Sequence, residues 1–181
     1  DKKPLTVPAP DISNRLTPVR HKGTEAKFYT PNDQTQWRAQ TLFTKEPITI
    51  DWIESMHPGD VLWDIGANVG GYSIWASKRR GVEVYACEPE ASNYAVLCRN
   101  FRENQVQGLA YPLALTDTPG LSTLFCSQPH AGGSCHSLGQ EVGPDLKART
   151  GVKQGAISMT LDQLAVLLPK PTHIKIDVDG F

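Results

Sequence analysis

The stretch VLWDIGANVGGYSIWA, residues 61–76, constrains the fold more than any other part of this 181-residue chain. An apolar run ends on an acid, Asp64, and opens into a glycine-rich turn. Nucleotide-binding sites of α/β proteins begin this way, with a strand, a tight turn and a helix whose N-terminus faces the ligand. The next features alternate: a strand at 61–65, a helix at about 70–80, a strand at 82–87, a helix at about 91–104 and a strand at 109–115. A β-α-β-α-β succession predicts an α/β fold, a mostly parallel sheet with helices on both faces.

Before this unit, residues 1–20 carry four prolines and little apolar periodicity, so 1–35 reads as an N-terminal arm. Helical signals flank Pro47, with Thr49 as a candidate cap. After Asp117 the rhythm changes. LSTLFC reads as a strand antiparallel to a partner around Ala156–Thr160. Between them lies a Gly- and Ser-rich segment too long for a simple connection, a candidate lid within an insertion spanning 121–160. LDQLAVLLP predicts a short helix, and THIKIDVDGF a buried-type strand.

In a doubly wound sheet the ligand lies beyond the C-terminal strand ends, where strand order reverses. That places Asp64, Glu88, Asp117 and Asp177 at one rim. The dinucleotide fingerprint needs GxGxxG, whereas this turn presents Gly66, Asn68 and Gly71. No Lys or Arg in the turn would balance Asp64 against a diphosphate. S-adenosylmethionine has no phosphate and carries a sulfonium and an ammonium, so Asp64 favours it. Glu88 ends the second strand where a carboxylate can accept both ribose hydroxyls, which suits either cofactor.

DIGANVGGYS, YACEPEASNYAVLCRN, the ALTD turn, SMTLDQL and HIKIDVDGF, together with FTKEP and Trp52 upstream, resemble in order and spacing the FkbM-type S-adenosylmethionine-dependent methyltransferases. The resemblance covers roughly residues 40–181. It implies a class I methyltransferase fold, a Rossmann-like three-layer sandwich, over residues 36–181. It also implies methyl transfer to a hydroxyl on a sugar, polysaccharide or glycosylated natural product. In the implied roles, Asp64, Gly66, Ala67, Asn68 and Gly70 cradle the methionine part of the cofactor. Glu88 holds the ribose, Pro89 and Asn93 border the adenine, and Ala114 to Asp117 close the other side of the ring. Asp177 sits beside the methyl. Two positions depart from the pattern: Cys87 replaces the aromatic residue usual before Glu-Pro, and Gly71 stands where a larger residue is common. The family's further strands would lie beyond Phe181, so the chain is expected to be part of a longer protein, truncated after the fourth core strand.

A sugar hydroxyl is a poor nucleophile at neutral pH and needs a base or a metal. Asp177 is the first candidate to polarise the acceptor and His136, in the insertion, the second. Asp177 and Asp179 form a weak candidate pair for a divalent metal. His173 reads as structural, Trp52 and Trp63 as core, and Lys45–Glu46 either as a solvated pair or as part of the substrate opening. Eighteen basic against nineteen acidic residues leave a net charge of −1, which gives no basic field for nucleic acid and favours a small-molecule or carbohydrate acceptor. Four cysteines outside CxxC pairs fit a reducing cytoplasm, and no apolar run is long enough to span a membrane. Two other readings stay open, an NAD(P)-binding Rossmann oxidoreductase and a non-catalytic methyltransferase-like binding module.

Overall fold

The computed structural model describes residues 14–141 and 151–178. Its centre is a parallel sheet of β3 (Val61–Ile65), β4 (Glu83–Cys87), β5 (Gly108–Tyr111) and β10 (His173–Ile176), in the order β10-β3-β4-β5. The chain moves outward from β3 through β4 to β5, then returns to place β10 on the other side of β3. Strand order therefore reverses between β3 and β10, which defines the ligand rim. The expected strand at 109–115 is instead two short ones. Pro112, lacking an N–H, interrupts the ladder, and β6 (Leu113–Leu115) leaves for a second sheet.

Period-two side-chain alternation divides the core. Leu62, Val84 and Ala86 face α3 (Gly71–Arg80) and α4 (Ala91–Asn104), while Trp63, Ile65, Tyr85 and Cys87 face Leu113 and Leu164 of α5 (Leu161–Leu167). Asp64 shares the α3 face with Leu62. Helix α3 starts and ends on left-handed glycines, Gly70 and Gly81, and its last turn carries Lys78, Arg79 and Arg80 against the C-terminal dipole. Glu90 caps α4 by accepting from the Ser92 and Asn93 amides. A capping box of Thr160 and Gln163 opens α5.

The insertion builds the second sheet, ordered β6-β9-β7-β8. Strand β7 (Gly120–Cys126) pairs antiparallel with β9 (Val152–Met159), as the sequence predicts, and β8 (Ser137–Leu138) extends it.

Two expectations for the N-terminal region are corrected. Residues 16–29 are not an arm but a hairpin, β1 (Leu16–His21) and β2 (Thr24–Tyr29), closed by Lys22 and Gly23 at positive φ. Strand β2 docks on α4, where Asn104 and Asn100 take up its backbone. The Lys27 amide donates to Asn104 Oδ1 at 2.9 Å, Asn104 Nδ2 donates to the Lys27 carbonyl at 2.7 Å, and the Tyr29 amide donates to Asn100 Oδ1 at 2.7 Å. Residues 1–13 lie outside the described residues. The second correction concerns α2 (Pro47–Glu54), which is entered from Glu46 with Pro47 in its first turn; Thr49 lies inside the helix rather than capping it. Helix α1 (Asp33–Gln40) precedes it, capped by Asn32.

Candidate functional site

Two adjoining cavities open at the C-terminal ends of β3, β4 and β10. The larger, about 970 Å³ including its open side, is lined by Gly66, Asn68, Glu88, Pro89, Asn93, Ala114, His136 and Asp177, all expected from sequence, with Arg38 and Lys45 at its edge. The second, about 630 Å³, runs under α1 and is lined by Ala67, Tyr72, Lys175 and Asp177. Arg38, Lys45, Gly66, Asn68 and Asp177 border both.

Glu88 is buried at the end of β4. One carboxylate oxygen accepts from the Asn68 amide at 2.8 Å and the other from the Glu90 amide at 2.9 Å. Burial dominates nonetheless and pushes its pKa up to about 7, against the lowering effect of these bonds. The carboxylate keeps lone-pair capacity for a ligand hydroxyl.

The glycine turn is self-contained. The Gly66 and Ala67 amides donate to the Cys87 carbonyl, Asn68 to Glu88, Val69 to the Asn68 side chain and Gly70 to the Ala67 carbonyl. All five amides are spent, so the turn offers no nest for a diphosphate. Gly66 is required by the chain's own backbone: a Cβ there would meet the Asp177 carbonyl at 2.0 Å, at a φ of +78°. Gly70 lies against Leu97 of α4 and lines neither cavity.

Asp64 departs from the expectation. It is 1% exposed and turns inward, accepting from Ser73 Oγ at 2.6 Å and pairing with Lys175 Nζ at 3.4 Å. The cation missing from the turn comes from β10, where Lys175 stands directly opposite Asp64 in the strand register. Asp64 therefore does not by itself discriminate against phosphate. Lys175 also reaches Asp177 at 3.2 Å. Its desolvation would depress the ammonium, but the two carboxylate charges outweigh it and raise the pKa. Sequence reasoning does not single out Lys175. Its signal is the alternation of Lys175 and Asp177 on one face of a strand, legible only once Asp64 is known to be the neighbour.

Asp177 stands at the rim with its side chain 61% exposed. His136 is buried in the cleft wall. Asp117 lies after β6 and lines an adjoining hollow with Thr160 and Ile176 rather than the Glu88 cleft. Asn93 is fully buried with its amide turned toward the insertion and Glu88. His173 bonds Asp60 at 2.9 Å and packs edge-on to Trp52. Lys45 pairs with Glu46 at 2.9 Å while lining both cavities. Asp179 lies outside the described residues, and among those described no three His, Cys, Asp or Glu side chains cluster as a metal site. All four cysteines are free thiols, and no described helix is long and apolar enough to cross a membrane.

The reversed order about β3, the glycine turn and the acid ending the next strand are those of a Rossmann-like α/β fold, as in class I methyltransferases. Two curated relatives show the kinship to which the sequence motifs point. The chain is 26% identical to hexuronic acid methyltransferase AglP of Haloferax volcanii, over 87% of this chain and 62% of that protein. It is 32% identical to 31-O-demethyl-FK506 methyltransferase FkbM of Streptomyces tacrolimicus, over 49% of this chain and 34% of that protein. The resemblance to the FkbM type is thus shown by alignment, and the chain spans less than two thirds of either relative's length. No family model matches. Among solved structures, TYW2 of Pyrococcus horikoshii in complex with MeSAdo is similar at 19% identity, covering 60% of this chain and 39% of that one, with a TM-score of 0.39.

Proposed function

We propose that the chain carries the cofactor half of an S-adenosylmethionine-dependent methyltransferase acting on a hydroxyl of a sugar or sugar-bearing acceptor. The observation that carries this reading is the pairing of a buried carboxylate, Glu88, with a turn whose amides are all consumed. Such a site receives a ribose and a cationic chain, not a diphosphate. Glu88 would take the ribose hydroxyls, Pro89 and Ala114 the purine faces, and the turn the methionine end, with Asp177 beside the methyl. The bound cofactor supplies an electrophilic methyl on a sulfonium.

The protein's own contribution is alignment and proton management. Asp177 lines both cavities, so it can accept the acceptor hydroxyl's hydrogen bond and take up its proton as the oxygen attacks. His136, in the cleft wall, is the second candidate for that proton. A metal held by Asp177 and Asp179 would polarise the oxygen instead; chelator-sensitive turnover restored by Mg²⁺ or Mn²⁺ identifies that case. The near-neutral charge and the kinship with a hexuronic acid methyltransferase support a carbohydrate rather than a nucleic acid as acceptor. Four free cysteines support a reducing compartment such as the cytoplasm.

The test is a screen of sugars, uronic acids and glycosides with methyl-tritiated donor. Label transferred to a carbohydrate, and lost in Asp177→Asn with donor affinity retained, is the expected result. Transfer to none, with the donor bound, leaves the binding-module reading in its place.

A further inference from the structure

The inserted segment does not hang over the cleft as a detached lid. Three successive carbonyls, those of Ala131, Gly132 and Gly133, are each caught by a side chain from elsewhere in the chain. Asn32 Nδ2 donates to Ala131 at 2.9 Å, Arg38 Nε to Gly132 at 2.6 Å, and Asn68 Nδ2 to Gly133 at 2.7 Å. Asn93 takes the same strap from below. Its Nδ2 also donates to the Gly133 carbonyl, at 3.2 Å, and its Oδ1 accepts from the Gly132 amide at 2.7 Å. The strap is closely built here: a Cβ on Gly132 would lie 3.0 Å from Gln34 Cγ, and one on Gly133 would lie 2.2 Å from the Gln128 carbonyl.

The head of α4 ties Asn93 back to Glu88: the Asn93 backbone amide donates to the Glu90 carboxylate at 2.7 Å, and the Glu90 amide donates to Glu88 at 2.9 Å. A closed circuit results. Glu88 accepts from the Asn68 amide, the Asn68 side chain donates to Gly133, Gly133 also accepts from Asn93, and Asn93 connects through Glu90 to Glu88. Asn93 is 0% exposed, and every polar atom of its side chain is committed. Buried networks satisfied to this degree fix geometry rather than add bulk stability. The insertion and the carboxylate at the end of β4 are therefore one unit, with Asn93 as their joint.

We propose that Asn93 is a positioning residue for the cofactor site, locking the Ala131–Gly133 strap to Glu88 so that the carboxylate presents its free lone pairs to the ribose. This rests on the proposed function for the ligand's identity but not for the coupling itself. Asn93 lines the cleft beside Glu88 and Pro89, but its side chain is spent on the strap.

A purely structural Asn93 would affect stability and leave Glu88's titration alone, so that titration is the discriminating readout. The groups that face Glu88 or line its cleft are Glu90 at the head of α4, Cys87 on β4, Cys126 on β7, Arg38 on α1, Lys45, His136 of the insertion and Asp177 after β10. None of them is altered by an Asn93 substitution. Loss of the Asn93 side chain loosens the strap that holds Asn68, whose amide bond to the carboxylate favours the ionised form, and the Glu88 midpoint should rise by about one pH unit.

The experiment is a carbon-13 NMR titration of the Glu88 carboxyl in the free protein, wild type against Asn93→Leu. Asn93→Ser is run alongside, because it leaves room for water should the leucine variant fail to fold. Calorimetric titration with S-adenosylmethionine across the same pH range follows. The proposal predicts an upward shift of the Glu88 midpoint in both variants, and a matching shift in the pH at which cofactor affinity rises, with affinity at neutral pH reduced roughly fivefold. An unchanged Glu88 midpoint in the folded variants overturns it. If wild type binds no S-adenosylmethionine, the proposed function fails, while the carboxyl titration still decides the role of Asn93.

Discussion

Glu88 keeps its proton to about pH 7 in the folded chain, against an ordinary value of 4.5. The folded state therefore binds this proton more tightly than the unfolded one. Its stabilising contribution is complete below about pH 4.5 and is lost as pH rises through about 7. Urea midpoints of wild type should thus fall over that window relative to Glu88→Gln, which lacks the group; parallel pH profiles would show that Glu88 does not titrate there. Under the proposed function the cofactor works in the opposite sense, its ribose hydroxyls donating to the ionised carboxylate. Affinity should increase through pH 7, with proton release visible when calorimetry is repeated in buffers of different ionisation enthalpy.

Lys175 makes a second case at this scale. Its ammonium is the cationic partner of Asp64, which is 1% exposed. Lys175→Met leaves that carboxylate buried and uncompensated, a loss of about 3 kcal/mol or more. Adding Asp64→Asn removes the orphaned charge, so the double variant should unfold at higher denaturant than Lys175→Met alone. A double variant less stable than the single would deny the pairing.

Among the elements, the turn between β3 and α3 carries the strictest geometric demand. Gly66 and Gly59 both have positive φ, but only Gly66 has a neighbour in the way: a Cβ there would lie 2.0 Å from the Asp177 carbonyl, whereas nothing lies within 4 Å of one at Gly59. Gly59→Ala should cost about 1 kcal/mol of backbone strain, whereas Gly66→Ala should cost at least twice that because β3 and β10 must separate. Thermal denaturation of the two variants checks this, and equal losses would show that the β10 contact does not hold. The hairpin gives a parallel test. Asn100→Ala and Asn104→Ala each leave β2 backbone groups unpaired against α4, at about 1–3 kcal/mol apiece. Hydrogen exchange should then accelerate in Lys27 and Tyr29 before it does in β3; uniform acceleration would mean that the hairpin is not anchored separately.

These elements also show what can be read in the sequence. The strand-turn-helix at 61–80 and the helix at 91–104 are legible because their signals are local: a period-two apolar run, left-handed glycines and a capping acid. The acid at Glu88 is legible because its spacing from the turn follows from one βαβ unit. The hairpin escapes sequence reasoning because Pro18 within β1 and the unremarkable Lys22–Gly23 turn give a weak strand signal, and its strongest support is α4's asparagines, more than 70 positions away. Asp64 is located by sequence but aimed wrongly, since its partner is set by β10 register rather than by anything near it. The role of Asn93 is hidden for the same reason: its partners belong to a segment about 40 positions later.

At the scale of the whole molecule, one sheet serves two layers. Its α3 face is closed by helices and the N-terminal hairpin, and its α5 face by a smaller group centred on Trp63, Tyr85 and Leu164. The second sheet and the strap bring the insertion back to the rim, so the cleft is walled by segments from both halves of the chain. Edge strand β10 and the residues after it leave Ile174, Ile176 and Val178 at 39%, 56% and 38% exposure. The central claim is that this cleft selects a ribose-bearing cation over a dinucleotide, by a buried carboxylate and a turn with no amide to spare. The direct measurement is isothermal titration of the chain with S-adenosylmethionine, S-adenosylhomocysteine and NAD under identical conditions. Binding of the first two, abolished or strongly weakened in Glu88→Ala, with no heat from NAD, is the predicted result; binding of NAD without either adenosyl compound would contradict the account.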